Sequence, residues 1–328
     1  MYYVNTRGIK SKINSIERIA QEVSPHVICI TETMLGKKEK IEIPGYENFY
    51  NNNKPGKGGI IIAVKNELKE VTVETEQVTE EHQTLWIKID NSRNKVNIGC
   101  IYAPQEGKVK VSTLNKMYKQ IETQVKRAKQ DNERVMIVGD FNAKTGNNIQ
   151  GKEKKASKSG KILLKTALEQ ELSILNRHSK CEGKWTRIQG NKKSTIDYVM
   201  ILEEDEKYVT RIFIDEEKEY TPKHGEGKTT TYSDHCAMIT TMQWTAANIE
   251  KCKTMERRRI SEKSLLKLAE ATETGNLTKI ARESININEK YQKWSNELSR
   301  IIESTMEKEK TNKKHSLKIE RKLNKVKK

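Results

Sequence analysis

Aromatic side chains are scarce, at 5% of 328 residues, and acidic residues are outnumbered, 45 against 62 basic ones. No apolar run approaches the roughly 18 residues of a membrane span, and the opening "MYYVNTRGIK" has no apolar signal core. Both absences lead us to expect a soluble, intracellular protein without a membrane partner. The cysteines, Cys29, Cys100, Cys181, Cys236 and Cys252, form no C-x-x-C pair, which argues against a zinc site or a disulfide framework and for a reducing compartment. Cys29 and Cys100 lie inside apolar runs, where a free thiol packs as a small hydrophobe. The net charge of +17 calls for a polyanionic partner, nucleic acid before anionic membrane, although a lysine-rich, asparagine-rich coding bias contributes to it.

What apolar content there is, 34%, is clustered, enough for a core over part of the chain. Runs rich in Val and Ile, bounded by Gly, Pro, Asn or Asp, predict strands at residues 2–5, 27–31, 59–65, 84–90, 96–103, 134–139, 195–201, 208–214 and 236–243. Helical spacing joins Ile13, Ile16, Ala20 and Val23, and again Leu114, Met117, Ile121 and Val125; a third helix is expected from Lys161 to Leu172. Many strands with few helices between them predict an α/β protein of two stacked sheets with helices outside, since a doubly wound parallel sheet needs a helix at nearly every crossover. Beyond Trp244 the character changes. Residues 246–328 hold 22 Lys or Arg against 12 Asp or Glu, a net of +10. We read 1–245 as the folded domain and 246–328 as a basic, helical or partly disordered extension.

Polar residues sit at the ends of the predicted strands: Asn5 in "YVNTRG", Glu32 in "VICITET", Tyr102 in "VNIGCIYAP", and Asp140 with Asn142 in "RVMIVGDFN". Asp197 lies inside "STIDYVMI", and Ser233, Asp234 and His235 precede the last strand in "YSDHCAMIT". A strand-end acid alone is more often a turn residue. Asp197 is harder to dismiss, because a buried carboxylate demands a partner. The set as a whole suits phosphodiester hydrolysis. A hard cation such as Mg²⁺ needs few carboxylate oxygens, so Glu32 and one neighbour suffice. Asp140 can deprotonate the attacking water. His235, held by Asp197, can stabilise the transition state as an imidazolium, while Asn142, Asn5 and Tyr102 supply neutral donors.

Taken in order, "VNTRGIKSKI", "ICITET", "GKGGIIIAV", "IGCIYAPQ", "VGDFNAKTG", "STIDYVMI" and "YSDHCAM" resemble the exonuclease III/DNase I-like endonuclease/exonuclease/phosphatase superfamily. Within it they look most like the AP-endonuclease-like nicking domain of LINE-type non-LTR retrotransposons. The resemblance covers residues 1 to about 243 and implies a four-layer α/β/β/α sandwich of two mixed sheets. It also implies Mg²⁺, with Mn²⁺ as a substitute, held by Glu32 with Asn5 and Asp234. Asp140, Asn142, Asp197, His235 and Tyr102 would be catalytic, and Arg7, Thr186, Lys144 and Lys155 would contact nucleic acid. Three positions depart from the family pattern: Arg7 replaces an acid, Gln105 an asparagine and Thr195 an arginine. No Y-x-D-D-like motif follows, so we expect a reverse transcriptase module to be encoded elsewhere or lost. A nuclear location is expected of such a retroelement endonuclease.

The activity so implied is single-strand DNA nicking that leaves a 3′-hydroxyl. Two other classes stay open: a phosphatase or phosphodiesterase for a small or lipid phosphate, and a non-catalytic nucleic-acid-binding relic. Lysines 144, 152, 154, 155, 158 and 161 crowd one loop. They favour a long polyanion if they contact it, or they are simply solvated.

Overall fold

The computed structural model describes residues 1–243 apart from 53–55, 69–70, 79–82, 91–94, 147–154 and 226–229. The chain divides into two units, Met1–Asn248 and Ile249–Lys328, and the described residues all belong to the first. The expected C-terminal extension, with Cys252, lies outside the described residues, as do Lys152 and Lys154.

The first half of the domain runs β1 (Tyr2–Asn5), α1 (Ile13–Val23), β2 (Val27–Thr31), β3 (Tyr46–Asn51), β4 (Ile60–Lys65), β5 (Val71–Val78), β6 (Gln83–Asp90) and β7 (Lys95–Tyr102). There follow α2 (Val111–Gln130), β8 (Arg134–Asp140), α3 (Lys158–Glu169), β9 (Leu172–Ile174), β10 (Cys181–Glu182), β11 (Arg187–Gln189) and β12 (Lys192–Ser194). The described part closes with β13 (Asp197–Leu202), β14 (Val209–Ile214), β15 (Lys223–His224), β16 (Thr231–Tyr232) and β17 (Met238–Met242).

Seven strands form one sheet in the order β10-β14-β17-β1-β2-β4-β3, and six form a second in the order β5-β6-β7-β8-β13-β9. Both are mixed: β1–β2, β10–β14 and β7–β8 pair in parallel, and the other pairings are antiparallel. The ribbons β11–β12 and β15–β16 stand apart.

Side chains alternate across a strand, and that alternation builds the layers. Tyr3 of β1, Val27 and Cys29 of β2, Ile98 and Cys100 of β7, Met136 and Val138 of β8, and Val199 and Ile201 of β13 meet in one core between the sheets. Their neighbours Tyr2, Val4, Ile28 and Ile30 face outward against Ile16, Ile19 and Ala20 of α1. On the other side, Val135, Ile137, Tyr198 and Met200 pack with Met117, Ile121 and Val125 of α2 and Leu163 and Ala167 of α3. The result is the expected four-layer sandwich, DNase I-like in arrangement. Cys29 and Cys100 are free and fully buried in its middle.

Gly139 shows how tightly the second sheet is drawn. A Cβ there would fall 2.0 Å from the Ile101 carbonyl oxygen.

Three details differ from the sequence expectations. The third helix starts at Lys158, where the Ser157 hydroxyl accepts the Gly160 N–H as an N-cap, and it ends at Glu169, so that Leu172 opens β9 instead. The strand expected from Thr195 begins at Asp197, which places that acid at a strand terminus. Strands β3 and β5, the outermost members of their sheets, interleave polar with apolar residues in YENFYN and VTVETEQV, so no apolar run marked them.

Candidate active site

Carrying the inward alternation one step past the apolar core leads to Asn5 after Tyr3, Thr31 after Cys29, Tyr102 after Cys100, Asp140 after Val138 and Asp197 before Val199. These five residues form the last rung of the sandwich interior. Register confirms it: Asp197 faces Asp140, Tyr102 sits beside Asp140, and Asn5 beside Thr31. Asn5, Thr31, Asp140 and Asp197 are no more than 1% exposed. His235 joins the rung from the segment leading into β17, where it bridges to Arg187.

The rung is densely hydrogen-bonded. His235 Nδ1 donates to both oxygens of Asp197, at 2.9 and 3.0 Å, which leaves Nε2 3.8 Å from Asp140 Oδ2, beyond hydrogen-bond range. The Tyr3 hydroxyl donates to Asp197 Oδ1 at 2.8 Å. Asp140 Oδ2 accepts from Asn5 Nδ2 at 3.0 Å, and its Oδ1 accepts the Asn142 N–H at 2.9 Å. Asn142 Nδ2 donates to the Ala103 carbonyl, and Asn5 Oδ1 accepts the Arg7 N–H. The Tyr102 hydroxyl donates to Glu32 Oε1 at 2.9 Å.

Four of the eight described non-glycine residues with positive φ, namely Arg7, Glu32, Asn142 and Lys218, flank this rung. A left-handed conformation costs a non-glycine residue on the order of 1–3 kcal/mol, so backbone strain is concentrated here.

Electrostatics follow from the packing. Burial alone would lower the His235 pKa, but the charges of Asp197 and Asp140 and the hydrogen bond to Asp197 override it and raise the pKa to about 9. The ring is therefore an imidazolium at neutral pH. Burial, then the facing charge of Asp197, push Asp140 well above the carboxylate range, against the pull of His235 and the Asn142 N–H. Burial, with the negative charge of Glu32, drives the Tyr102 phenol upward, so it stays a donor.

Other residues fall differently from the sequence expectations. Asp234, expected beside a metal, has one oxygen on Arg7 Nη1 at 3.1 Å and the other on Arg187 Nε at 2.7 Å. Thr186, expected to touch nucleic acid, is fully buried. Its hydroxyl accepts the Ile196 and Asp197 N–H groups, both at 3.0 Å, so it braces Asp197. Thr195 is also buried and donates to the Lys184 carbonyl. Lys144, Lys155, Lys158 and Lys161 are exposed, as is Gln105.

Sequence reasoning missed Tyr3, Arg187 and Lys218. Lys218 Nζ donates to the Ser233 and His235 carbonyls, at 3.1 and 2.6 Å, and so pins the segment carrying Asp234. Tyr3 had a signal, a hydroxyl in a buried strand two residues before Asn5. Arg187 and Lys218 had none, because only tertiary folding brings them here.

Two places offer ligands to a cation. Asp140, Asp197 and His235 set ligand atoms within 4.8 Å of one another, a possible acidic/histidine metal site. There the imidazolium proton on Nδ1 already neutralises Asp197, which weighs against a cation between them. Glu32 fits a hard ion better. It is a carboxylate oxygen donor at the edge of the rung, and among the described residues only Oε1 has a partner.

The model of the Endonuclease/Exonuclease/phosphatase family matches residues 3–235. The chain belongs to that family. Its members hydrolyse phosphate esters.

Among solved structures, the endonuclease domain of TRAS1, a telomere-specific non-LTR retrotransposon, is 18% identical with a TM-score of 0.53, covering 75% of this chain and 98% of that one. An AP endonuclease from Archaeoglobus fulgidus is 15% identical with a TM-score of 0.56, covering 74% and 98%. A variant of the 3′ phosphatase NExo from Neisseria, bound to a product DNA hairpin, is 12% identical with a TM-score of 0.57 and the same coverage. At these identities the likeness is one of fold. No curated protein matches the chain.

Proposed function

We propose that this family member is a divalent-metal-dependent DNA endonuclease that nicks one strand and leaves a 3′-hydroxyl. The observation that carries the reading is the pairing of Asp140 with a buried imidazolium held by Asp197.

Asp140, as the carboxylate, takes a proton from the water that attacks phosphorus. Asn5 and Asn142 fix its two oxygens, so the base is aimed before substrate arrives. His235 offers its Nε2–H to a non-bridging oxygen on which negative charge grows, and Asp197 prevents the ring from turning or losing its Nδ1 proton. Tyr102 stays protonated and holds Glu32. Glu32, with Asn5 nearby, would hold Mg²⁺ or Mn²⁺. Such an ion, when bound, supplies charge neutralisation at the phosphate.

The net charge of +17 favours a long polyanion over a small ester. The phosphatase reading draws support from the fold shared with a protein described as a 3′ phosphatase. Supercoiled plasmid incubated with and without Mg²⁺, beside a generic phosphomonoester, separates the two. Conversion to open circles whose ends a polymerase extends is the expected result. Phosphomonoester turnover without nicking would overturn it.

A further inference from the structure

The carboxylate of Asp234 holds two guanidinium groups, one on each oxygen. A guanidinium has five N–H donors. Among the described residues, the Arg7 side chain uses one of them, and Arg187 uses two, the second on Gln189 Oε1 at 3.1 Å. Two cations on one anion leave a surplus positive charge. The side chains are 51% and 33% exposed, against 9% for Asp234, so both arginines reach solvent while the carboxylate is largely covered.

The pair also borders the reacting centre. Asp234 precedes His235 and contributes to its raised pKa. Arg7 lies two residues after Asn5 and close enough to Tyr102 to oppose its upward shift.

We propose that Arg7 and Arg187, held side by side by Asp234, form a clamp for a DNA backbone phosphate flanking the one that is cut; this rests on the DNA-cleaving function proposed above. The guanidinium fork matches a phosphate's oxygens, and a carboxylate that orients both forks beforehand lowers the ordering cost of binding. Asp234 is then an organiser of cations rather than a metal ligand.

The test is fluorescence anisotropy of a labelled duplex binding the full chain in EDTA, at several salt concentrations. Each phosphate contact contributes about 0.9 to the slope of log K against log salt. Because both arginines act on one phosphate, Arg7→Gln, Arg187→Gln and the double variant should each flatten the slope, the double variant by about 0.9 and neither single variant by more. Arg18→Gln, on the outer helix α1, should leave it alone. Arg187→Lys should keep the slope and weaken binding, because charge remains and the fork is lost; this variant decides the matter if the glutamine variants do not fold. Unchanged slopes in variants with normal melting curves, or unchanged affinity in Arg187→Lys, would overturn the clamp. So would an effect confined to competition by inorganic phosphate, since the pair would then hold a free anion. Nothing is cut in EDTA, so a failure to nick in Mg²⁺ would sink the proposed function while the slopes remained readable.

Discussion

Replacing Asp197 by Asn tests the Asp140–His235 device most directly. In the wild type the His235 pKa is raised to about 9, so at pH 7.5 nearly every molecule carries the imidazolium. Without Asp197, its charge and its hydrogen bond to the ring are lost, the largest upward influence among them, and the ring's pKa falls, with Asp140 and Asp234 still holding it up against burial. At pH 7.5 a smaller share of the molecules would then carry the imidazolium. Losing the Nδ1 acceptor also frees the ring to turn, and removing one preorganised transition-state donor costs on the order of a hundredfold or more. The expected loss in single-turnover nicking is therefore at least about two orders of magnitude.

The pH profile gives the sign. Activity needs Asp140 deprotonated and His235 protonated, so it rises as Asp140 ionises and falls above about 9. Asp197 raises both groups, so Asp197→Asn should move both limbs to lower pH, the two midpoints belonging to the coupled pair. His235→Ala should abolish the descending limb. The double variant should be little worse than the worse single one. A profile that stays in place in Asp197→Asn, or a double loss equal to the product of the single losses, would refute the reasoning.

Three further outcomes are expected. Glu32→Gln should abolish Mg²⁺-dependent nicking and the calorimetric signal of Mg²⁺ binding while the melting curve stays close to wild type; normal turnover would remove Glu32 from the metal site. Lys218→Met deprives the Ser233 and His235 carbonyls of a donor, a loss of about 1–3 kcal/mol. Melting should show it as a drop of roughly 2–4 °C per kcal/mol, with Lys218→Arg recovering part of the stability and of kcat. Gly139→Ala should lower stability by roughly 3 kcal/mol, at the upper end of overpacking costs, because its Cβ would meet the Ile101 carbonyl at 2.0 Å; a chemical denaturation curve like the wild type would contradict this.

The central strands were legible in the sequence because their burial on both faces writes itself as unbroken Val and Ile runs: "VICIT" and "IIIAV" need no context. Edge strands were not, since β3 and β5 interleave polar with apolar residues. The same logic divides the site. Asn5, Glu32, Tyr102, Asp140, Asn142, Asp197 and His235 stood out as polar residues ending apolar strands, and the structure brings them together. Arg187 lies on a ribbon and Lys218 in a turn, where polar residues are ordinary, so their convergence on Asp234 and His235 exists only in three dimensions. Thr186 was misplaced for a related reason. A hydroxyl beside a strand looks available until the fold shows it accepting two backbone N–H groups.

The site's being the last rung of the sandwich interior ties its chemistry to the correctness of folding. A strand that slips by one residue turns every side chain to the opposite face. In β8 such a slip would replace Asp140 at the rung by Gly139 or Phe141 while driving Met136 and Val138 out of the core; in β13, Tyr198 or Ile196 would take the place of Asp197. A misregistered copy would thus be disarmed by the same error that destabilises it. If the proposed nicking function holds, the arrangement is its own fail-safe: only chains that have packed their interior correctly would be able to cut DNA.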